Sequence, residues 1–203
     1  EKIIEKSLAD LKNFDIGKLA ILVNTLRANK SRLYKILYEH LFTRFNKTTD
    51  FTCFSEDALK EVTNAVFLKQ NQEYAIENIQ ESLFNSESMA AFKSRLYGIF
   101  NDLDDKEDMV ITVCSGFKNL IGPSKTEIFD FMFTVLTKNL NLYDDRMNSG
   151  YRYSQITKLL MIAEVFDPKH PYAESLYKQI TASIYHHNIF KSSSKYFKMP
   201  MKW

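Results

Sequence analysis

The sequence predicts an all-α protein, an α-solenoid of antiparallel helix pairs with about four helical hairpins plus an inserted helix. Three observations predict it. Apolar residues recur at the i, i+3, i+4, i+7 spacing of one helix face along most of the chain. Only 5 Gly and 4 Pro occur in 203 residues, too few for the turns of an all-β or α/β domain. The third is the return of one local order, a polar cap, a helix, a short turn and a second helix, at intervals of roughly 40–50 residues. With 45% apolar and 14% aromatic residues the chain has enough material for a packed core, much of it Phe (16) and Tyr (11).

In order along the chain, an opening helix is expected from about Lys2 to Lys12. Asp15 is placed to cap the next, which carries Leu19, Leu22, Val23 and Leu26 on one side. Ser31 is expected to cap its partner, with Leu33, Ile36, Leu37, Leu41 and Phe45 as the apolar stripe. Ser55 opens the second pair, with Leu59, Val62 and Val66 on its first helix and Ile76, Ile79 and Leu83 on its second. An inserted helix follows from about Met89 to Leu103, with Phe92, Leu96, Ile99 and Phe100 on one side. The third pair has Val110, Val113 and Phe117, a Gly122-Pro123-Ser124 turn with Ser124 as cap, and Ile128, Met132 and Leu136. The fourth has Ser154 as cap, Ile156, Leu159, Leu160 and Ala163, an Asp167-Pro168 turn, and Leu176, Ile180 and Ile184. The helical-repeat domain is expected over 1–190, and 191–203 reads as a basic-aromatic tail.

No reaction chemistry follows from the motifs. Gly122-Pro-Ser-Lys125-Thr126 has the end of a phosphate loop, but Asn119 and Ser124 occupy the positions that need glycine, and the segment follows a helix. The acidic run from Asp102 to Asp108 has Glu107 and Val113 where a calcium loop needs Gly and Glu. His186 and His187 are adjacent, about 100° apart on a helix, unlike metal ligands at i, i+3 or i, i+4. Cys53 and Cys114 are far apart and read as reduced core residues. The expectation is a protein that is not an enzyme, with no cofactor, no metal, no small-molecule substrate and no membrane span.

Charge is segregated although the net is only +2. From 27 to 47 run Arg27, Lys30, Arg32, Lys35, Arg44 and Lys47 against the single acid Glu39. The tail carries Lys191, Lys195, Lys198 and Lys202 with Tyr196 and Trp203 and no acid. Lysine and arginine neutralise phosphates while exposed rings stack on unpaired bases, so these twelve residues are the candidate RNA contacts. A solvated helix face, or a terminal strap docked on another protein, accounts for the same residues.

Three stretches share an aromatic, a small polar cap and an aliphatic helix: Phe14-Asp-Ile-Gly-Lys-Leu-Ala-Ile-Leu-Val-Asn-Thr-Leu26, Phe54-Ser-Glu-Asp-Ala-Leu-Lys-Glu-Val-Thr-Asn-Ala-Val66 and Tyr153-Ser-Gln-Ile-Thr-Lys-Leu-Leu-Met-Ile-Ala163. The pattern resembles the degenerate helical repeats of organellar RNA-associated proteins, the octotricopeptide and RAP/FAST-kinase-domain class; the unit around Val110 lacks the aromatic opening. The resemblance implies mitochondrial or plastid RNA metabolism, or an organellar ribosome, and supplies no base-reading residues. With the segregated charge, the expectation is a non-enzymatic subunit of a mitochondrial or other organellar ribonucleoprotein, a ribosomal or RNA-binding structural protein, in contact with RNA and neighbouring protein subunits in the matrix. The alternative is a HEAT- or TPR-like protein–protein scaffold without RNA, in the organelle or the cytoplasm.

Overall fold

A computed structural model describes residues 14–71, 73, 75–102, 107–139, 174, 175, 177, 178 and 181. Those residues are mostly helical: α1 (Ile16–Ala28), α2 (Tyr34–Phe45), α3 (Glu56–Phe67), α4 (Ser86–Asp102), α5 (Glu107–Phe117) and α6 (Pro123–Asn139). Two strands of two residues, β1 (Ile79–Gln80) and β2 (Leu120–Ile121), pair in parallel, Ile79 with Leu120 and Gln80 with Ile121. Contacts divide the chain into two compact units, Glu1–Val135 and Leu136–Trp203. In the second, Glu174, Ser175, Tyr177, Lys178 and Thr181 are helical, and Lys178 pairs with Glu174 at 2.7 Å. The expected opening helix, the acidic run at 103–106, most of the fourth pair and the boundary at 191 lie outside the described residues.

Local chemistry sets the helix starts. Asp15 Oδ1 accepts the Lys18 N–H at 2.8 Å and Ser55 Oγ accepts that of Ala58 at 3.2 Å, so both expected caps hold. The Lys18 N–H, more than any other group, holds the Asp15 carboxyl below its usual range. Asn85 caps α4 by accepting the N–H groups of Glu87 (2.9 Å) and Ser88 (3.1 Å). Ser31 is no helix cap: α2 begins at Tyr34 without a side-chain cap, and Ser31 Oγ accepts from the Leu33 N–H inside the preceding turn. Nor does Ser124 cap α6, which opens on Pro123, as suits a residue with no N–H to leave unpaired. Ser124 instead donates its N–H to Glu81 Oε2 at 2.8 Å, a carboxylate from the 3-10 turn Glu81–Leu83 standing where a cap would.

The second pair departs most from expectation. Ile76, Ile79 and Leu83 are not helical: Ile76 forms an antiparallel bridge with Gln70, Ile79 lies in β1 and Leu83 ends the 3-10 turn. Ile79 is buried, whereas Ile76 and Leu83 are more than half exposed. On α2 the expected stripe is rotated. Leu33 and Ile36 face out, and Tyr34 and Tyr38 take their place beside Leu37, Leu41 and Phe45 in the interior. Cys114 is buried as expected, its thiol pKa pushed up by burial, but Cys53 is exposed in the α2–α3 loop.

Packing centres on α3, which lies against α1 on one side and α5 on the other, while α2 packs on α1. The anchors Leu19, Leu59 and Val110 of these three first helices are fully buried. The core is a cluster of phenylalanines. Phe45 meets Phe51, Phe67, Phe84 and Phe92 at centroid distances of 5.4, 5.9, 5.7 and 5.4 Å, and Phe67 stacks on Phe117 at 4.2 Å. The α3–α5 approach depends on Gly116, where a Cβ would stand 2.5 Å from Thr63 Cγ2 and 3.3 Å from the Thr63 carbonyl. Thr63 is itself fully buried. Gly116→Ala is expected to cost about 1–3 kcal/mol through overpacking. Adding Thr63→Ser, which removes the methyl but keeps a hydroxyl for the bond to Leu59 O, should recover part of that loss in urea titrations.

Candidate functional site

The basic stretch identified in the sequence lies on α1, the α1–α2 turn and α2, with Lys47 in the loop after α2. The turn closes α1 with Ser31 N–H bonded to Leu26 O (2.9 Å) and Lys30 N–H to Arg27 O (3.0 Å), a pattern that needs a left-handed residue between helix and turn. Lys30 fills that place with φ 50°, the single non-glycine residue of positive φ among the described residues. A Cβ there costs about 1 kcal/mol that glycine would avoid. Lys30→Gly should therefore raise the urea midpoint by the equivalent of roughly 1 kcal/mol while removing a surface cation.

The candidate cations have different fates. Lys30, Arg32, Lys35 and Lys47 are exposed. Arg32 and Lys35 form no ion pair among the described residues. Arg27 turns inward and donates Nη1 to the Asn64 carbonyl at 2.6 Å and the Leu68 carbonyl at 3.1 Å, closing the C-terminus of α3. Burial pulls its pKa below the ordinary arginine value. Arg44 is half-buried and donates to the Phe14 carbonyl. Neither guanidinium stands free for a phosphate. Lys191, Lys195, Tyr196, Lys198, Lys202 and Trp203 lie outside the described residues.

Beside α2 runs a cleft of about 860 Å³, within the range of ligand-sized pockets. Its far wall is made by Lys69, Gln70, Asn71, Glu73, Glu77, Ile79 and Leu83, held beside α2 by hydrogen bonds at both ends. Tyr34 Oη donates to Leu68 O (3.4 Å) and accepts from the Gln70 N–H (3.1 Å). Tyr38 Oη donates to Val66 O at 3.0 Å. At the other end Asn46 donates to Leu83 O (3.1 Å) and accepts from the Asn85 N–H (2.9 Å). Burial raises the pKa of both phenols, Tyr38 well above its usual value, so they stay protonated donors.

Arg32 and Lys35 stand at the end of the cleft where α2 begins, and Phe42 and Leu83 line the opposite end. Glu39 lies between them on α2, and Lys69, Glu73 and Glu77 lie across the gap, with Lys69 tied to Glu77 at 3.5 Å. Gln70 Oε1, in the same wall, is buried without a hydrogen-bond partner. The basic sequence pattern led to Arg32 and Lys35 but not to Tyr34, Tyr38 and Phe42. Their i, i+4, i+8 spacing was the available signal, and their rings run as a ladder with centroids 5.8 and 6.0 Å apart.

A second polar cluster joins Glu81, Lys93, Ser124 and Glu127. Lys93 Nζ lies 2.9 Å from Ser124 Oγ and 2.5 Å from Glu127 Oε2, and Ser124 Oγ also bonds Glu81. A serine touching a lysine raises the question of nucleophilic chemistry. Here the serine is fully buried, and the lysine donates to both it and Glu127, so the cluster ties the 3-10 turn and α4 to the start of α6. Gly122 belongs to the same junction, since a Cβ there would fall 2.2 Å from Glu81 Oε2.

Among the described residues no three His, Cys, Asp or Glu side chains are grouped to hold a metal, and no helix is long and apolar enough to cross a membrane. Comparison with known proteins gives no match to a family model, a curated protein or a solved structure.

Proposed function

We propose that this protein is a non-enzymatic helical-repeat subunit of an organellar (mitochondrial) ribonucleoprotein, a ribosomal or RNA-binding structural protein, contacting RNA through the surface where α1 turns into α2. The observation that carries the reading is the group Lys30, Arg32 and Lys35. All three are exposed on one turn and the start of the helix after it, and Lys30 holds a backbone conformation that glycine would adopt at lower energy. Three features support the α-solenoid arrangement: the side-by-side packing of α1, α3 and α5, their buried anchors, and the short α1–α2 hairpin. The Lys191–Trp203 tail would add further phosphate and base contacts.

A second reading, a HEAT- or TPR-like scaffold that binds protein alone, is favoured by Leu33 and Ile36. These aliphatic side chains are 40% and 45% exposed on the flank of α2 away from the cleft. Native capture of the tagged full chain from its source cell, with and without ribonuclease, separates the two. The ribonucleoprotein reading expects ribosomal RNA in the untreated sample and loss of partners on digestion. A ribonuclease-resistant assembly without RNA would overturn it in favour of the scaffold.

A further inference from the structure

Lys35 and Phe42 are seven residues apart on α2, about 10 Å of helix rise. That interval matches roughly three nucleotides of a stacked strand at about 3.4 Å each. Both side chains line the same cleft, one at its cationic end and the other at its apolar end. Between them lies Glu39, four residues after Lys35 and three before Phe42, and therefore on their side of the helix.

Net charge alone would not bring RNA here, because Glu39, Glu73 and Glu77 balance Arg32, Lys35 and Lys69. The positions of the charges matter more than their sum. Arg32 and Lys35, with no ion pair among the described residues, sit together at one end, where phosphates would lie. The Glu39 carboxylate stands further along, where the edge of a base would lie. Carboxylates accept hydrogen bonds from the exocyclic amino group of cytosine and have nothing to accept at the corresponding carbonyl of uracil. At the far end Phe42 keeps part of its ring open and Leu83 is 58% exposed, an apolar surface on which a base can stack. The wall opposite is polar, with the amide of Asn71 and the unsatisfied Gln70 amide oxygen close by.

We propose that this cleft holds about three nucleotides of single-stranded RNA. Arg32 and Lys35 take phosphates, Phe42 and Leu83 take a base, and Glu39 selects bases that carry an exocyclic amino group over uracil. The proposal rests on the RNA-binding reading above and adds where the strand lies and which bases it prefers.

The test is fluorescence anisotropy of the full chain with labelled hexanucleotides of cytidine and of uridine at low salt. The cytidine hexamer should bind about tenfold more tightly than the uridine hexamer. Glu39→Gln, whose amide can accept from cytosine or donate to uracil and no longer repels the strand, should abolish that preference with uridine affinity rising, and Arg32→Ala with Lys35→Ala should weaken both hexamers equally. These three side chains are exposed, and unchanged thermal melts of the variants would show that the fold is retained. Equal, salt-sensitive binding of the two hexamers would overturn the cleft assignment and leave the ribonucleoprotein reading standing. A base preference that survives Glu39→Gln would also overturn it. Failure of both hexamers to bind, with a peptide from a neighbouring subunit bound in the cleft instead, would overturn this inference and count against the RNA reading as well.

Discussion

Phe67→Ala is expected to destabilise the protein by about 3–5 kcal/mol, measured as a fall in the urea midpoint at unchanged m value. The Phe67 ring is fully buried at the C-terminal end of α3 and lies 4.2 Å from Phe117, 5.2 Å from Phe84 and 5.9 Å from both Phe45 and Phe92. Its neighbours come from α2, α4, α5 and the segment after β1, so no single element can move in to fill the space. The loss has a transfer part and a cavity part, and rings held from four sides keep the cavity open. Against a total stability of about 5–15 kcal/mol, the variant would sit close to unfolding. Phe67→Leu, which keeps most of the volume, should lose much less. A small effect of Phe67→Ala would mean that the phenylalanine cluster does not set the stability of the fold.

How far the sequence revealed this core depends on the element. Asp15 and Ser55 are legible as caps because a short polar side chain before an apolar stripe has one dominant use, and the helix with Phe92, Leu96 and Phe100 is legible because its stripe is long and regular. Ile76, Ile79 and Leu83 deceived because i, i+3, i+7 spacing is compatible with any short chain that touches a core only occasionally. Here Asn71 shapes a tight turn, accepting the N–H groups of Glu73 (2.9 Å) and Ala75 (3.0 Å), and the chain then runs extended. On α2 two overlapping stripes competed. Leu33 and Ile36 are the more hydrophobic, yet Tyr34 and Tyr38 are buried, because their hydroxyls reach carbonyls at the end of α3, Tyr38 that of Val66 and Tyr34 that of Leu68 alongside Arg27. Periodicity cannot rank such stripes, since the acceptors belong to another helix. The cleft was invisible for the same reason: one wall was legible as a basic helix, and the other is the segment read as helical.

Arg27→Met should lower stability by about 1.5–3 kcal/mol and, on the ribonucleoprotein reading, leave RNA affinity unchanged. In composition Arg27 is the first member of the basic stretch, indistinguishable from Arg32. In the fold its guanidinium joins the end of α1 to the end of α3 through the carbonyls of Asn64 and Leu68. It cannot lose its proton to relieve the burial, so the bonds it makes are charge-assisted, and their removal takes the charged donor from the Asn64 and Leu68 carbonyls, leaving Leu68 O with the 3.4 Å bond from Tyr34 Oη. Methionine retains much of the aliphatic stem and isolates the effect of the charged head. Arg32→Ala should behave in the opposite way, with stability within about 0.5 kcal/mol of the parent and the salt dependence of RNA binding reduced by roughly one ion. Urea titration and salt-dependent anisotropy on both variants form a crossed comparison that shared surface roles could not produce. Should Arg27→Met weaken RNA binding without destabilising the fold, the carbonyl contacts would not be what Arg27 is for. Should Arg32→Ala destabilise without weakening RNA, the exposed basic turn would be structural and the ribonucleoprotein reading would lose the residues that carry it.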